Sequence, residues 1–326
     1  MADVAKAAGV SRALVSIVFR ERPGASDATR TKVRKVAKQL GYRPHAAAQD
    51  LRRARSRNLG VLFSPQFPFE VEIVEAIAAP ARERGYRVLL GSAGAEHDLK
   101  RAVEEMLDYR CEALIVVGLH GDDRWFTQLG ERVPVVRVGR SMSASGVDAI
   151  HSDDREGSRL ATQHLLDLGH RRIVCLSGGD MPGGGERLAG FLDAVREAGA
   201  DGEFEVIPGD YSIDAGVAGA LRMLDEPELP TAVVCGNDWS ALGVLMTLLR
   251  RGVSVPAEVS IVGYDDSRLA RQAFAELTSV VQDPVWIGES AVLAADQRIR
   301  GVRVDATEFV MSPRLVVRGS TAAPRS

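Results

Sequence analysis

The stretch Asp3-Val-Ala-Lys-Ala-Ala-Gly-Val-Ser-Arg-Ala-Leu-Val-Ser-Ile-Val-Phe-Arg20 decides how the front of this 326-residue chain is read. Val4 and Ala8 fall four apart on one helical face, and Gly9 then stops the helix. Ser11 can cap a second helix whose inward side is Val15 and Val18. The small side chains of Ala5 and Ala8 let two helices cross closely. A third amphipathic helix is predicted from Asp27 to Leu40, with Val33, Val36, Ala37 and Leu40 facing inward and Gly41 ending it. Two helices joined by a tight turn and followed by a third make a helix-turn-helix, whose second helix enters the major groove of DNA. A generic three-helix bundle is the alternative.

Charge separates these readings. Lys6, Lys32, Lys35 and Lys38, four of the five lysines, fall in residues 1–57 together with ten arginines; only Asp3, Glu21, Asp27 and Asp50 oppose them. That segment therefore sums to +10, while the whole chain is −3, so residues 58–326 carry −13. A basic head on an acidic body points to a polyanion-binding module joined to a unit with another task.

From Leu59 onward short apolar runs alternate with helical stretches. Leu59–Phe63, Val88–Leu90, Ala113–Val117, Val135–Val138, Arg172–Leu176, Ala232–Cys235 and Val259–Val262 read as buried strands. Between them Glu70–Arg84, Asp98–Tyr109, Glu156–Leu168, Glu186–Ala198 and Asp238–Arg251 carry a 3.6-residue period. Such alternation predicts doubly wound parallel sheets, here as two lobes with a cleft, and ligands belong at the carboxyl ends of the strands. Polar clusters follow the strands there: the glycine-rich Ser177–Glu186 before Arg187, Gly209-Asp210-Tyr211, Gly236-Asn237-Asp238 and Gly263-Tyr264-Asp265-Asp266. An arginine, an amide, a carboxylate and an aromatic face in one crevice suit a polar small molecule. Taken singly, each of these reads more readily as a turn or helix cap, Asn237, Asp238 and Asp265 being natural caps; their shared position after strands is what points to a site.

These residues together resemble the lactose/galactose repressor (LacI/GalR) family of bacterial transcription regulators. The resemblance rests on Asp3–Ser11, on Gly41-Tyr-Arg-Pro44 with His45–Arg52, and on landmarks along the body. Those are His164–Ile173, Arg187-Leu-Ala-Gly-Phe191, Asn237–Gly243, Val262–Asp266, Leu277–Asp283 and Leu315–Ser320. It implies a three-helix head and hinge helix followed by two doubly wound parallel α/β lobes of periplasmic-binding-protein type. The implied divisions are 1–43 for the head, 44–57 for the hinge and linker, and 58–326 for the two-lobe unit. Within that unit the first lobe takes about 58–151 and 283–307, and the second about 152–282 and 308–326.

The same resemblance implies DNA contacts at Ser11, Arg12, Ala13, Ser16, Ile17, Arg20, Tyr42, His45, Ala48, Leu51 and Arg52, with Leu51 wedged into the minor groove. It implies effector contacts at Phe69, Arg187, Tyr211, Asn237, Asp265 and Gln282. The implied partners are a near-palindromic operator, a sugar-like effector and a second copy of the chain. The family's usual arginine, threonine and asparagine are replaced here by Ile17, Leu14 and Arg20. Ile17 offers only apolar contact, such as to a thymine methyl, so the operator is expected to differ. The family's Asn-Pro-Phe-Phe appears as Phe67-Pro-Phe-Glu70, which adds polarity to the expected pocket. The chain begins about three residues late, without the usual cap before the first helix. It ends soon after Ser320 with no leucine heptads, which predicts a dimer rather than a tetramer.

Enzyme motifs are missing. No Gly-x-Ser-x-Gly elbow, phosphate loop or His-Glu-x-x-His occurs, and no histidine pair has metal-ligand spacing, so neither catalysis, metal nor cofactor is expected. Asp153-Asp154 reads as a helix-capping pair. No leader-type run or uninterrupted 18-residue apolar stretch is present, which predicts a cytoplasmic, nucleoid-associated protein without membrane contact. Cys111, Cys175 and Cys235 are isolated in apolar runs and read as buried thiols. A periplasmic-type sugar-binding protein is the rival reading, but it has no use for a +10 head.

Overall fold

A computed structural model describes residues 1–19, 21, 23–42, 55–94, 98–141, 144–199 and 202–325. The chain divides into two compact units, 1–56 and 57–326.

In the first unit α1 (Ala2–Ala8), α2 (Arg12–Phe19) and α3 (Asp27–Gln39) enclose a core of Val4, Ala5, Ala8, Val15, Val18, Val33 and Ala37. Gly9 closes α1 in the left-handed region at φ 63°, a conformation costly for any residue with a Cβ. The Ser11 hydroxyl accepts the Leu14 N–H at 3.1 Å, and Ser26, rather than Asp27, caps α3. Two expectations change here. Leu40 is 51% exposed and Val36 only half-buried, because α3 ends at Gln39 and no helix among the described residues covers its last turn. The expected hinge helix lies outside the described residues.

The second unit holds two six-stranded sheets. The first runs β11-β5-β4-β3-β1-β2, formed by Glu308–Met311, Asp148–Ser152, Val135–Val138, Cys111–Val117, Asn58–Phe63 and Arg87–Ser92, all parallel. The second runs β12-β10-β9-β8-β6-β7, formed by Arg314–Val316, Thr278–Val281, Ser260–Asp265, Ala232–Cys235, Arg172–Leu176 and Glu203–Ile207. Only β12 is antiparallel to its neighbour.

Helices cover both faces of each sheet, as parallel strands require. On the first sheet α4 (Pro68–Glu83) and α11 (Pro284–Ile299) seal a core containing Ile77, Ile115, Ile150 and Ala291. On its other face α5 (Leu99–Asp108) and α6 (Asp123–Arg132) bury Val103, Leu114 and Phe126. On the second sheet α7 (Asp154–Asp167) and α8 (Gly184–Glu197) take one face, and α9 (Ile213–Leu224) and α10 (Asp238–Arg250) the other. Each fully buried leucine or isoleucine in these layers contributes about 1.5–3 kcal/mol.

The chain crosses between the sheets after β5, after β10 and after β11. Residues 308–311, expected in the second lobe, instead form β11 beside β5 in the first sheet, so the last crossing falls after Met311. Cys111, Cys175 and Cys235 are buried free thiols. No helix among the described residues is long and apolar enough to cross a membrane.

Candidate effector cavity and DNA-contact face

In the head, Ser11 is occupied as the cap of α2, Arg12 and Ala13 are exposed on its first turn, and Ser16 and Ile17 are partly exposed one turn on. Tyr42 packs its ring against Phe19, centroids 5.7 Å apart, so part of its role is structural. Arg20, His45, Ala48, Leu51 and Arg52 lie outside the described residues.

Between the two sheets lies a cavity of about 390 Å³, in the size range of small-molecule sites. Phe69, Arg187, Tyr211, Asn237, Asp265 and Gln282 all line it, brought together from the start of α4, from α8, from the last residue of β9 and from segments after β7, β8 and β10. The strand ends place them there, because each of these pieces is, or follows, the carboxyl end of a parallel strand.

Arg187 anchors the second lobe's wall. It is 7% exposed, donates from Nε to Asp154 Oδ1 at 2.8 Å and from Nη1 to the Gly236 carbonyl at 2.6 Å, and stands 3.7 Å from Asp265 Oδ1. Its guanidinium carbon lies 3.6 Å above the Tyr264 ring centroid and 5.1 Å from that of Tyr211. Burial alone would lower its pKa, but Asp154 and Asp265, with the two tyrosines, hold it well above the ordinary value. Asp265 adopts φ 108°, rare for a residue with a side chain, and accepts the Gln282 amide at 2.7 Å. Gln282 in turn accepts the Ser152 hydroxyl at 2.9 Å. Burial, with Asp238 nearby, pushes the Asp265 carboxyl upward against the pull of Arg187.

Asn237 caps α10 by accepting the Ser240 N–H at 2.9 Å, so its amide nitrogen is the group it has left for a ligand. Tyr211, at φ 67°, donates its hydroxyl to the Pro182 carbonyl at 3.1 Å. A Cβ on Gly178 or Gly236 would come within 2.1 Å or 2.6 Å of its ring, so both positions are emptied to admit it. The opposing wall from the first lobe is mainly apolar, with Phe67, Phe69, Ile73, Val117, Val138 and Ile287.

Several wall residues have roles that the sequence did not reveal. Asp153 does cap α7, whereas Asp154 is the buried counter-ion of Arg187. A buried arginine always demands such a partner, yet nothing in the one-dimensional pattern says which acid supplies it. Asp238 accepts from Ser267 N and Oγ at 2.7 and 2.8 Å and from Ser279 Oγ at 2.6 Å; burial nevertheless pushes it up to about 6. Arg268, after β9, reaches across to the first lobe, where its N–H donates to Glu72 at 3.0 Å and its guanidinium pairs with Glu75. No cluster of metal-ligating side chains is found among the described residues.

Residues 1–45 match the model for bacterial regulatory proteins of the lacI family, and residues 162–321 match a periplasmic binding protein-like domain. The ribose operon repressor of Escherichia coli (strain K12) is 33% identical over 328 residues, 98% of this chain and 99% of that protein. A structure of the lac repressor dimer bound to operator and the anti-inducer ONPF superposes with TM-score 0.84 at 31% identity, covering 98% of each chain. A transcriptional regulator CelR–cellobiose complex gives TM-score 0.73 at 33% identity, again over 98% of each. Basic helix-turn-helix head, interleaved two-sheet body and end-to-end relatives agree: the chain belongs to the LacI family of bacterial regulatory proteins, which are DNA-binding regulators and not enzymes.

Proposed function

We propose that this regulator is a cytoplasmic repressor that acts as a homodimer on a near-palindromic operator and changes its operator affinity when a small sugar occupies the cavity between its lobes. Arg12, Ala13, Ser16 and Ile17 read base edges from α2, with Ser11, Arg20, Tyr42, His45, Ala48, Leu51 and Arg52 completing the DNA contacts. The effector lies between the polar groups of Arg187, Asn237, Asp265 and Gln282 and the faces of Tyr211 and Phe69.

The convergence of those six side chains on one cavity carries this reading. A sugar has the matching two-sided chemistry, with hydroxyls for the second lobe's wall and carbon-bound hydrogens for the apolar wall opposite. Binding that differs between two states of the body by about 1–3 kcal/mol is enough to control operator occupancy.

The test is binding of the purified protein to DNA from its own upstream region, with and without a panel of sugars. Sequence-specific binding altered by one sugar is the expected result. Specific binding indifferent to every sugar overturns the effector class, and absence of specific binding overturns the regulator's proposed contacts.

A further inference from the structure

Glu70 stands in the first turn of α4, on the wall of the cavity, and is only 8% exposed. Its Oε2 accepts the Ser64 N–H at 2.9 Å. Its Oε1 rests against Gly118 so closely that a Cβ there would lie 1.9 Å away, so the glycine at the end of β3 makes room for this carboxyl. Ser64 from the end of β1 and Gly118 from the end of β3 are uncharged. The next acid on its own helix, Glu72, is engaged by Arg268. With no cation beside it among the described residues, burial pushes the Glu70 carboxyl up to about 8, opposed by the Ser64 hydrogen bond. A carboxylic acid in such a site keeps its proton at neutral pH and can serve as a hydrogen-bond donor. Because Oε2 is taken up as an acceptor, the proton belongs on Oε1.

The rest of the wall sets the charge of what can enter. Glu70 apart, it carries Glu72, Asp154, Asp238 and Asp265 against two guanidinium groups. Arg187 is committed to Asp154, Asp265 and the Gly236 carbonyl, and Arg268 to Glu72 and Glu75. His151, also on the wall, shares Nε2 with Glu308 at 2.9 Å. A phosphate or carboxylate placed here meets acids and already paired cations, at a cost in desolvation that nothing repays.

We propose that Glu70 is a specificity-determining residue for the effector, presenting its Oε1 hydroxyl to an acceptor oxygen of an uncharged polyhydroxylated ligand, while Asp154, Asp238 and Asp265 exclude phosphorylated or carboxylated ones. This rests on the sugar-effector reading and narrows it to neutral sugars read from both lobes.

The test titrates the full-length protein by calorimetry with D-ribose, D-glucose and D-galactose, and with ribose 5-phosphate, glucose 6-phosphate and galacturonate. Measurements at about pH 6.5 and about pH 9.5 bracket the Glu70 ionisation; a donor lost on ionisation raises Kd by about tenfold or more across that interval. A neutral sugar is expected to bind with that pH dependence, and its anionic counterpart about 100-fold or more weakly at both pH values. In Glu70→Gln and Glu70→Met the Kd becomes level with pH, and Glu70→Met binds weakly throughout; two variants guard against one that fails to fold. A wild-type Kd independent of pH overturns the role of Glu70, as does a pH dependence that survives in either variant. An anionic sugar binding as tightly as its neutral parent overturns the exclusion. If no sugar binds at either pH while operator binding persists, the sugar reading itself falls and this inference with it.

Discussion

Arg187 was legible in the sequence as a polar residue following a strand and a glycine-rich loop, but its surroundings were not. The structure surrounds it with Asp154, Asp265, the Gly236 carbonyl and two tyrosine rings. Arg187→Ala therefore does more than remove a ligand contact, because it leaves Asp154 as a buried carboxylate without its cation. Breaking such a pair costs about 3–5 kcal/mol, so the variant is expected to lose both effector response and stability. A denaturant midpoint measured beside the sugar titration separates the two effects. Glu70 gives a prediction of opposite sign. Its carboxyl binds a proton up to about pH 8 in the folded state but only to its ordinary 4.5 when unfolded. The native state thus holds more protons between those values, and this group's contribution to stability declines as pH rises through that window. Glu70→Gln should gain stability relative to wild type by on the order of 1 kcal/mol per pH unit there, with no further gain above it. Urea midpoints at three pH values check this, and a constant difference between the proteins would refute it.

At the scale of elements, the strongly periodic helices and the continuous apolar strands could be read from sequence to within a few residues. Several of the elements that escaped did so for physical reasons. Asp148–Ser152 and Thr278–Val281 are central strands that carry polar side chains, which break the apolar signal. Those groups are tolerated because Asp148 is held by Arg303 and the N–H of Thr307, and Thr278 by the N–H of Arg318. Glu308–Met311 and Arg314–Val316 are edge strands of four and three residues, too short to show a period. Pro284–Ile299 packs against both α4 and the first sheet and so lacks a clean polar face. In the head, the turn between α1 and α2 depends on Gly9, where the nearest atom to an added Cβ would be Lys32 Nζ at 4.0 Å. The penalty for Gly9→Ala is consequently backbone strain rather than a clash, about 1–2 kcal/mol. It should appear as weaker operator binding and a lower thermal transition in the full-length protein; an unchanged transition would show that the turn tolerates a side chain.

For the whole molecule, the opposed charges of head and body were readable by counting, and they predict how DNA binding responds to salt. With +10 concentrated in residues 1–57, log Kobs against log salt should fall with a slope of about −5 or steeper, measured by titration of a labelled operator. A shallow slope would mean that few phosphates are engaged. The two-lobe architecture was also readable from strand–helix alternation, whereas the interleaving of the lobes was only implied by resemblance and misplaced at its last crossing. That interleaving has a consequence for synthesis. Strands β1 to β5 of the first sheet leave the ribosome before any of the second, yet α11 and β11 follow only after β6 to β10. The first lobe to be started is therefore completed only after most of the second has emerged, and it must wait with one face of its sheet short of a helix and one edge open. A nascent chain stalled in the second lobe would expose that edge, which makes the order of translation, and any chaperone that shields the unfinished sheet, part of how this regulator reaches its working form.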